Sequence, residues 1–91
     1  MIIGVPKEIK DNEFRVGIVP GGVEELVLAR HQVLLEKGAG LGSGIPDSEF
    51  VKAGARLVSS KRDLFRRSDM ILKVKEPQSS EYSFLHQGQI L

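Results

Sequence analysis

Two cations set sixty residues apart carry most of the chemistry this sequence offers: Arg15, which closes the string GVPKEIKDNEFR, and Lys75, inside MILKVKEP. A guanidinium is a planar fork that grips a carboxylate through two parallel hydrogen bonds, a geometry an ammonium cannot match. A lysine just past an apolar strand supplies a fixed point charge for a carboxylate or carbonyl oxygen. Each cation also has a plainer reading. Arg15 follows Asp11 and Glu13 and can pair with a neighbouring carboxylate at the surface, where ion pairs contribute little. Lys73 and Lys75 flank Val74, so on a strand reaching that far they would share one face, and a charge pair at a strand end is ordinarily solvated.

Other candidates carry less. His31 falls between a helix end and a strand, where a cap or surface role fits, and His86 in FLHQGQ has no acid placed by sequence to orient it, so both read as structural. No HxxxH or carboxylate–histidine cluster suggests a metal. The string GAGLGSG at 38–44 invites a dinucleotide reading, but GxGxxG fails in each frame: five positions after Gly38, Gly40 and Gly42 stand Ser43, Ile45 and Asp47. The string also follows the second strand, whereas that fingerprint belongs to the first. It reads as a structural loop, with no cofactor-binding and no catalytic residue assigned in this chain.

The elements that must position Arg15 and Lys75 follow from periodicity. Met1–Val5 is a short apolar run closed by Pro6, a buried first strand, and 7–14 is a charged loop at its carboxyl end. Pro20 opens a helix through Arg30 with Val23, Leu26 and Val27 on its apolar face. Gln32–Glu36 is a second strand ending at Gly38. A helix beginning near Asp47 and Glu49 turns Phe50, Val51 and Ala53 inward and stops at Gly54. Ala55–Val58 is a third strand, and Ser60 with Asp63 caps a helix carrying Leu64 and Phe65. Met70–Val74 is a fourth strand, 79–85 a helical turn, and Gln89–Leu91 the start of a fifth strand. Strands alternating with helices imply βαβ units with right-handed crossovers: an α/β fold with a parallel sheet, Rossmann-like or flavodoxin-like, incomplete at the C-terminus. In such sheets anions bind in the crevice beyond the strand ends, which is where both cations fall.

Composition narrows the function classes. Thirteen basic residues against twelve acidic ones, a net charge of +1 and no block of five or six like charges argue against nucleic acid and anionic membrane surfaces. Without cysteine, the chain has no disulfide, thiolate metal site or cysteine nucleophile. This usage fits a cytoplasmic protein, and no apolar run approaches the length of a membrane span.

Four blocks, in order and at fixed spacing, carry a specific resemblance: IGVPKEIKDNEFRV at 3–16, VLLEKGAGLGSGIPD at 33–47, FVKAGARLV at 50–58 and DMILKVKEPQSSEY at 69–82, with GQIL at the end. Together they resemble the N-terminal domain shared by alanine dehydrogenases and proton-translocating nicotinamide nucleotide transhydrogenases; GAGLGSG and KVKEP resemble the alanine dehydrogenase branch. The resemblance implies that residues 1–91 are the N-terminal part of a substrate domain, with NAD held by a separate Rossmann domain outside this chain. It implies reversible conversion of L-alanine, NAD and water to pyruvate, ammonium and NADH by a longer parent, commonly a homo-oligomer such as a hexamer, with this chain inactive by itself. The family's substrate-carboxylate arginine falls on Arg15 and its substrate-contacting lysine on Lys75, with Lys73 as a non-catalytic neighbour. The family's catalytic histidine belongs to an FLHLA-like motif after GQIL, so His86, which precedes GQIL, does not inherit that role. Two departures bear on helix stability: Val19, where a threonine is usual and an N-cap is lost, and Gly22, where alanine is common.

Overall fold

The structure is a computed structural model that describes residues 1–91. Its elements run β1 (Ile2–Val5), α1 (Pro20–Leu28), β2 (Gln32–Glu36), α2 (Asp47–Ala53), β3 (Arg56–Val58), α3 (Lys61–Arg67) and β4 (Met70–Ile71), followed by a 3₁₀ segment at Ser79–Phe84. All four strands are parallel, in the order β3-β2-β1-β4. Ile90 then bridges Met70 in parallel, so the chain end begins to extend the sheet past β4. Of the two orders expected, this is the Rossmann one: the chain winds outward from β1 to β3, then returns across β1 to β4.

Both faces of the sheet are covered, which is why β2 reads as an unbroken apolar run. Val33 and Leu35 pack with Val23 of α1 and with Phe50 and Ala53 of α2. Leu34, pointing the opposite way, packs with Leu64 and Phe65 of α3 and with Ile71. Helices α1 and α2 therefore cover one face and α3 the other. The strand order reverses between β1 and β4, so the crevice beyond their carboxyl ends is the topological switch point of the sheet.

Several boundaries differ from the periodicity. Helix α1 ends at Leu28 and not Arg30, because Arg30 turns to φ 70° and the His31 N–H closes back on the Leu26 carbonyl at 3.0 Å. Within α1, Val23 is buried but Val27 sits at an exposed margin, and in α2 Val51 faces solvent while Phe50 and Ala53 pack inward. Val19 at the α1 N-cap makes no side-chain cap bond, whereas Ser60 caps α3 by accepting from the Asp63 N–H at 3.1 Å. Strand β3 starts at Arg56, since the Ala55 N–H is held by the Phe50 carbonyl at 3.0 Å, closing α2.

The largest correction concerns β4, which stops at Ile71 although apolar residues continue to Val74. The Leu72 N–H still bonds the Gly4 carbonyl, but the Val74 N–H donates to the Glu8 carboxylate at 3.0 Å. A side chain thus replaces the neighbouring strand as acceptor and turns the backbone out of the sheet.

Strand β1 and α3 approach so closely at Gly4 that a Cβ there would overlap the Ser68 side chain and lie 2.8 Å from Leu64 Cδ2. Ser68 cannot retreat, because it is buried and its hydroxyl donates to the Leu64 carbonyl at 2.6 Å. Gly4→Ala is therefore expected to destabilise the fold by about 1–3 kcal/mol through overpacking. Gly21→Ala, where an added Cβ meets nothing, is expected to be neutral or stabilising. Urea unfolding midpoints of the two variants check the contrast.

Candidate functional site

Arg15 and Lys75 meet at one carboxylate. The loop after β1 brings Glu13 beneath Arg15, whose Nε donates to Glu13 Oε2 at 3.0 Å and whose Nη2 donates to Oε1 at 2.9 Å. The Arg15 backbone N–H adds a third bond, to Oε2 at 2.9 Å. From the segment after β4, the Lys75 ammonium comes to 4.0 Å from the same Oε1. The surface-pairing reading of Arg15 is thus realised, yet it uses only one edge of the guanidinium. Nη1 makes no hydrogen bond in the structure, and the Arg15 side chain is 69% exposed over a Glu13 that is 4% exposed. A buried carboxylate holds the fork from below, and the outer edge faces solvent.

Burial and bonding fix the charge of that carboxylate. Hydrogen bonds from the Arg15 side chain and backbone, helped by the Arg15 and Lys75 charges and opposed by burial, lower the Glu13 pKa from the ordinary 4.5 to about 2. Because the folded value lies below the ordinary one, the contribution of this group to stability is fully present above pH 4.5. It fades as the pH falls from there towards 2. An NMR titration of the Glu13 carboxyl should show this low midpoint in the native protein, and Arg15→Ala should return it towards the ordinary value.

Lys73 does not share the exposure of Lys75. Its ammonium, 4% exposed, lies 3.1 Å from Glu8 Oε1 and 3.3 Å from Glu81 Oε1. Glu81, wholly buried, also receives Lys61 at 3.1 Å, and Lys61 reaches Glu36 at 3.2 Å. Burial by itself would raise the Glu81 pKa, but hydrogen bonds from the Gln78 N–H and Lys61, with the charges of Lys61 and Lys73, outweigh it and lower the value. The result is a chain Glu36–Lys61–Glu81–Lys73–Glu8 running beneath the strand ends, half-buried at Glu36 and Lys61 and buried from Glu81 to Glu8. It joins β2, the N-terminus of α3, the 3₁₀ segment, the post-β4 segment and the post-β1 loop. Glu8 completes it by accepting the Val74 and Lys75 N–H groups at 3.0 and 3.4 Å, which sets the backbone from which Lys75 projects.

Sequence reasoning named Glu13 only as a surface acid beside Arg15, and missed Glu8, Glu81 and Lys61. The alternation in KEIKDNE and KVKEP signalled charge but not which charges are inward. Arg15 lines a cleft of about 390 Å³ with Glu8, Lys10, Glu13, Phe14 and Leu41, and Lys75 lines a neighbouring one of about 500 Å³ with Lys73 and Leu91. Glu13 stands where the two cations come together. His86 is tied to backbone carbonyls, 3.0 Å from that of Ser68 and 3.1 Å from that of Gln87, a structural role. His31 Nδ1 lies 3.1 Å from the Met1 amine.

Two glycines of the loop, Gly40 and Gly42, pack directly against protein. A Cβ at Gly40 would lie 2.5 Å from the Phe50 ring and 2.8 Å from the Ile45 carbonyl, and one at Gly42 would lie 2.7 Å from the Phe14 carbonyl. The backbone faces these glycines leave open are already filled by protein, and the Ser43 hydroxyl donates to the Phe14 carbonyl at 3.1 Å. The loop braces the segment that carries Arg15.

The family model for the alanine dehydrogenase/PNT N-terminal domain matches residues 4–91. This chain belongs to that family. An alanine dehydrogenase from Methanococcus maripaludis is 57% identical over all 91 residues, which span 24% of its length. A solved structure of an L-alanine dehydrogenase superposes with a TM-score of 0.94 at 49% identity, covering 98% of this chain and 24% of that one. A transhydrogenase structure from Sinorhizobium meliloti gives 0.90 at 39% identity, covering 98% and 25%. The chain thus spans about a quarter of the length of the curated relatives it matches. Like these members of the alanine dehydrogenase/PNT N-terminal domain family, it presents a parallel α/β sheet, and no helix in it is long and apolar enough to cross a membrane.

Proposed function

We propose that residues 1–91 form the N-terminal part of the substrate domain of a cytoplasmic, NAD-dependent alanine dehydrogenase, in which Arg15 and Lys75 hold the substrate carboxylate. The observation that carries this reading is the convergence of both cations on Glu13 at the switch point of the sheet, with the outer guanidinium edge and the Lys75 ammonium unbonded. In this arrangement Arg15 neutralises and orients the carboxylate, and Lys75 steadies the carboxylate or carbonyl end. Together they fix the α-carbon relative to a nicotinamide held by other parts of the parent. NAD supplies the hydride acceptor. The packing of Gly40 and Gly42 against Phe50, Ile45 and Phe14 supports a separate nucleotide-binding domain in the parent.

The higher identity to alanine dehydrogenases than to the transhydrogenase structure favours amino-acid chemistry, 57% and 49% against 39%. The deciding assay is nucleotide reduction by the parent protein. L-Alanine-dependent NADH formation supports the proposal, whereas hydride exchange between nicotinamide nucleotides that ignores alanine supports the transhydrogenase reading.

A further inference from the structure

We propose that Glu13 determines the charge of substrate the site accepts, limiting it to monocarboxylates, an inference that rests on Arg15 and Lys75 being the carboxylate grip. The two cations share Oε1 of this buried carboxylate, at 2.9 and 4.0 Å, so the receptor is a three-member group carrying one net positive charge. Around this group, the chain Glu36–Lys61–Glu81–Lys73–Glu8 carries one net negative charge, and Lys7 and Asp11, which line the same cleft, offset each other. Lys73 is buried against Glu8 and Glu81, and Lys10 is paired with Glu76. Glu13 remains ionised throughout the neutral range because its pKa is held at about 2. One substrate carboxylate therefore brings the receptor to neutrality. A second carboxylate on the same substrate is repelled by Glu13 and by the net negative chain that ends at Glu8, and the cleft-lining cation without an ion pair, Lys7, is matched in charge by Asp11.

Glu13 acts in two ways that can be separated. Its shape fixes the fork of Arg15, and its charge cancels one of the two cations. Glu13→Gln keeps the length and removes the charge, leaving two net positive charges, while its NH2 group, a donor, loosens one arm of the Arg15 fork. Glu13→Asp keeps the charge but shortens the side chain and disturbs the fork.

The test compares oxaloacetate with 2-oxobutyrate in reductive amination by the full-length parent, two 2-oxo acids of similar size that differ by one carboxylate. The ratio of their kcat/KM values is expected to rise about tenfold or more in favour of oxaloacetate in Glu13→Gln, the scale of one unit charge acting over several ångströms in a partly solvated site. In Glu13→Asp both KM values rise while the ratio stays at the wild-type value. A ratio in Glu13→Gln within about twofold of wild type overturns the proposal, since a purely structural role would lower both activities in parallel. The unmutated enzyme gives a second reading that requires no variant to fold: malonate should compete with pyruvate about tenfold more weakly than propionate does. Equal competition overturns the proposal. If Arg15→Ala leaves the KM for pyruvate unchanged, the carboxylate-grip reading itself fails; if that KM rises while the Glu13→Gln ratio does not move, only the role of Glu13 fails.

Discussion

Arg15→Ala in the full-length parent is expected to lower kcat/KM for L-alanine by about 30- to 5,000-fold, the range seen when one partner is stripped from a desolvated charge pair. The KM for NAD should barely change. The size of the effect follows from geometry, because Glu13 already holds the Nε–Nη2 edge of the guanidinium and aims its free edge outward. Removing the fork takes away two things at once: the donor pair for the substrate and the principal counter-charge of Glu13, which then remains as an unpaired buried anion facing the substrate. Arg15→Lys should recover little, since an ammonium cannot hold Glu13 on one edge and a substrate carboxylate on the other. Lys75→Ala is expected to fall in the same range, by loss of a point charge with no effect on the Glu13–Arg15 pair. Steady-state kinetics with alanine and NAD varied separately check both variants, and an unaltered alanine profile in either removes that residue from the site.

The sequence exposes those contacts that are local and hides those that join distant loops. Strand β2 is legible residue for residue because Gln32–Glu36 is a compact apolar run stopped by Gly38, and its burial on both faces leaves no periodicity to misread. The caps at Ser60 and Gly54 are also legible, since each is satisfied within a turn of its own helix. The end of β4 is not. Val74 looks like strand, and it leaves the sheet because its N–H is taken by a carboxylate 66 residues earlier. The same distance effect separates Lys73 from Lys75. As text they are equivalent cations in KVKEP, yet one is sealed between Glu8 and Glu81 and the other reaches solvent beside Glu13.

The candidate site divides along the same line. The arginine and lysine stand out because fork and point charge are distinct chemistries and both follow apolar strands. The carboxylates that set their positions do not stand out, because Glu8 and Glu13 lie in a charged loop where exposure is the ordinary outcome. They are buried here because the switch point gathers the ends of β1 and β4, so cations from one loop are matched by carboxylates from the other. The glycine loop illustrates the converse. Its composition resembles a nucleotide loop, but its close approaches are to Phe14, Ile45 and Phe50, and it supports the segment carrying Arg15 while lining one side of the same cleft.

Lys73→Ala is expected to destabilise the fold by about 3–5 kcal/mol, the penalty for breaking a buried ion pair from one side. Its ammonium is the sole side-chain partner of Glu8, whereas Glu81 retains Lys61 at 3.1 Å. The uncompensated charge therefore falls mainly on Glu8, which also positions the Val74 and Lys75 N–H groups. Two consequences distinguish this from loss of packing. Removing the stranded charge as well, in Lys73→Met with Glu8→Gln, should restore much of the stability, because apolar or neutral replacements avoid the desolvation that the ion pair must offset. That double variant should still bind substrate more weakly, since a neutral amide is a poorer acceptor for the two N–H groups that fix Lys75. Lys10→Ala, which breaks the exposed pair with Glu76, should change stability little because solvent screens both charges. Urea unfolding of the parent, followed together with the KM for alanine, checks this series. Equal unfolding midpoints for Lys73→Ala and Lys10→Ala would mean that the buried chain does not hold the strand ends together.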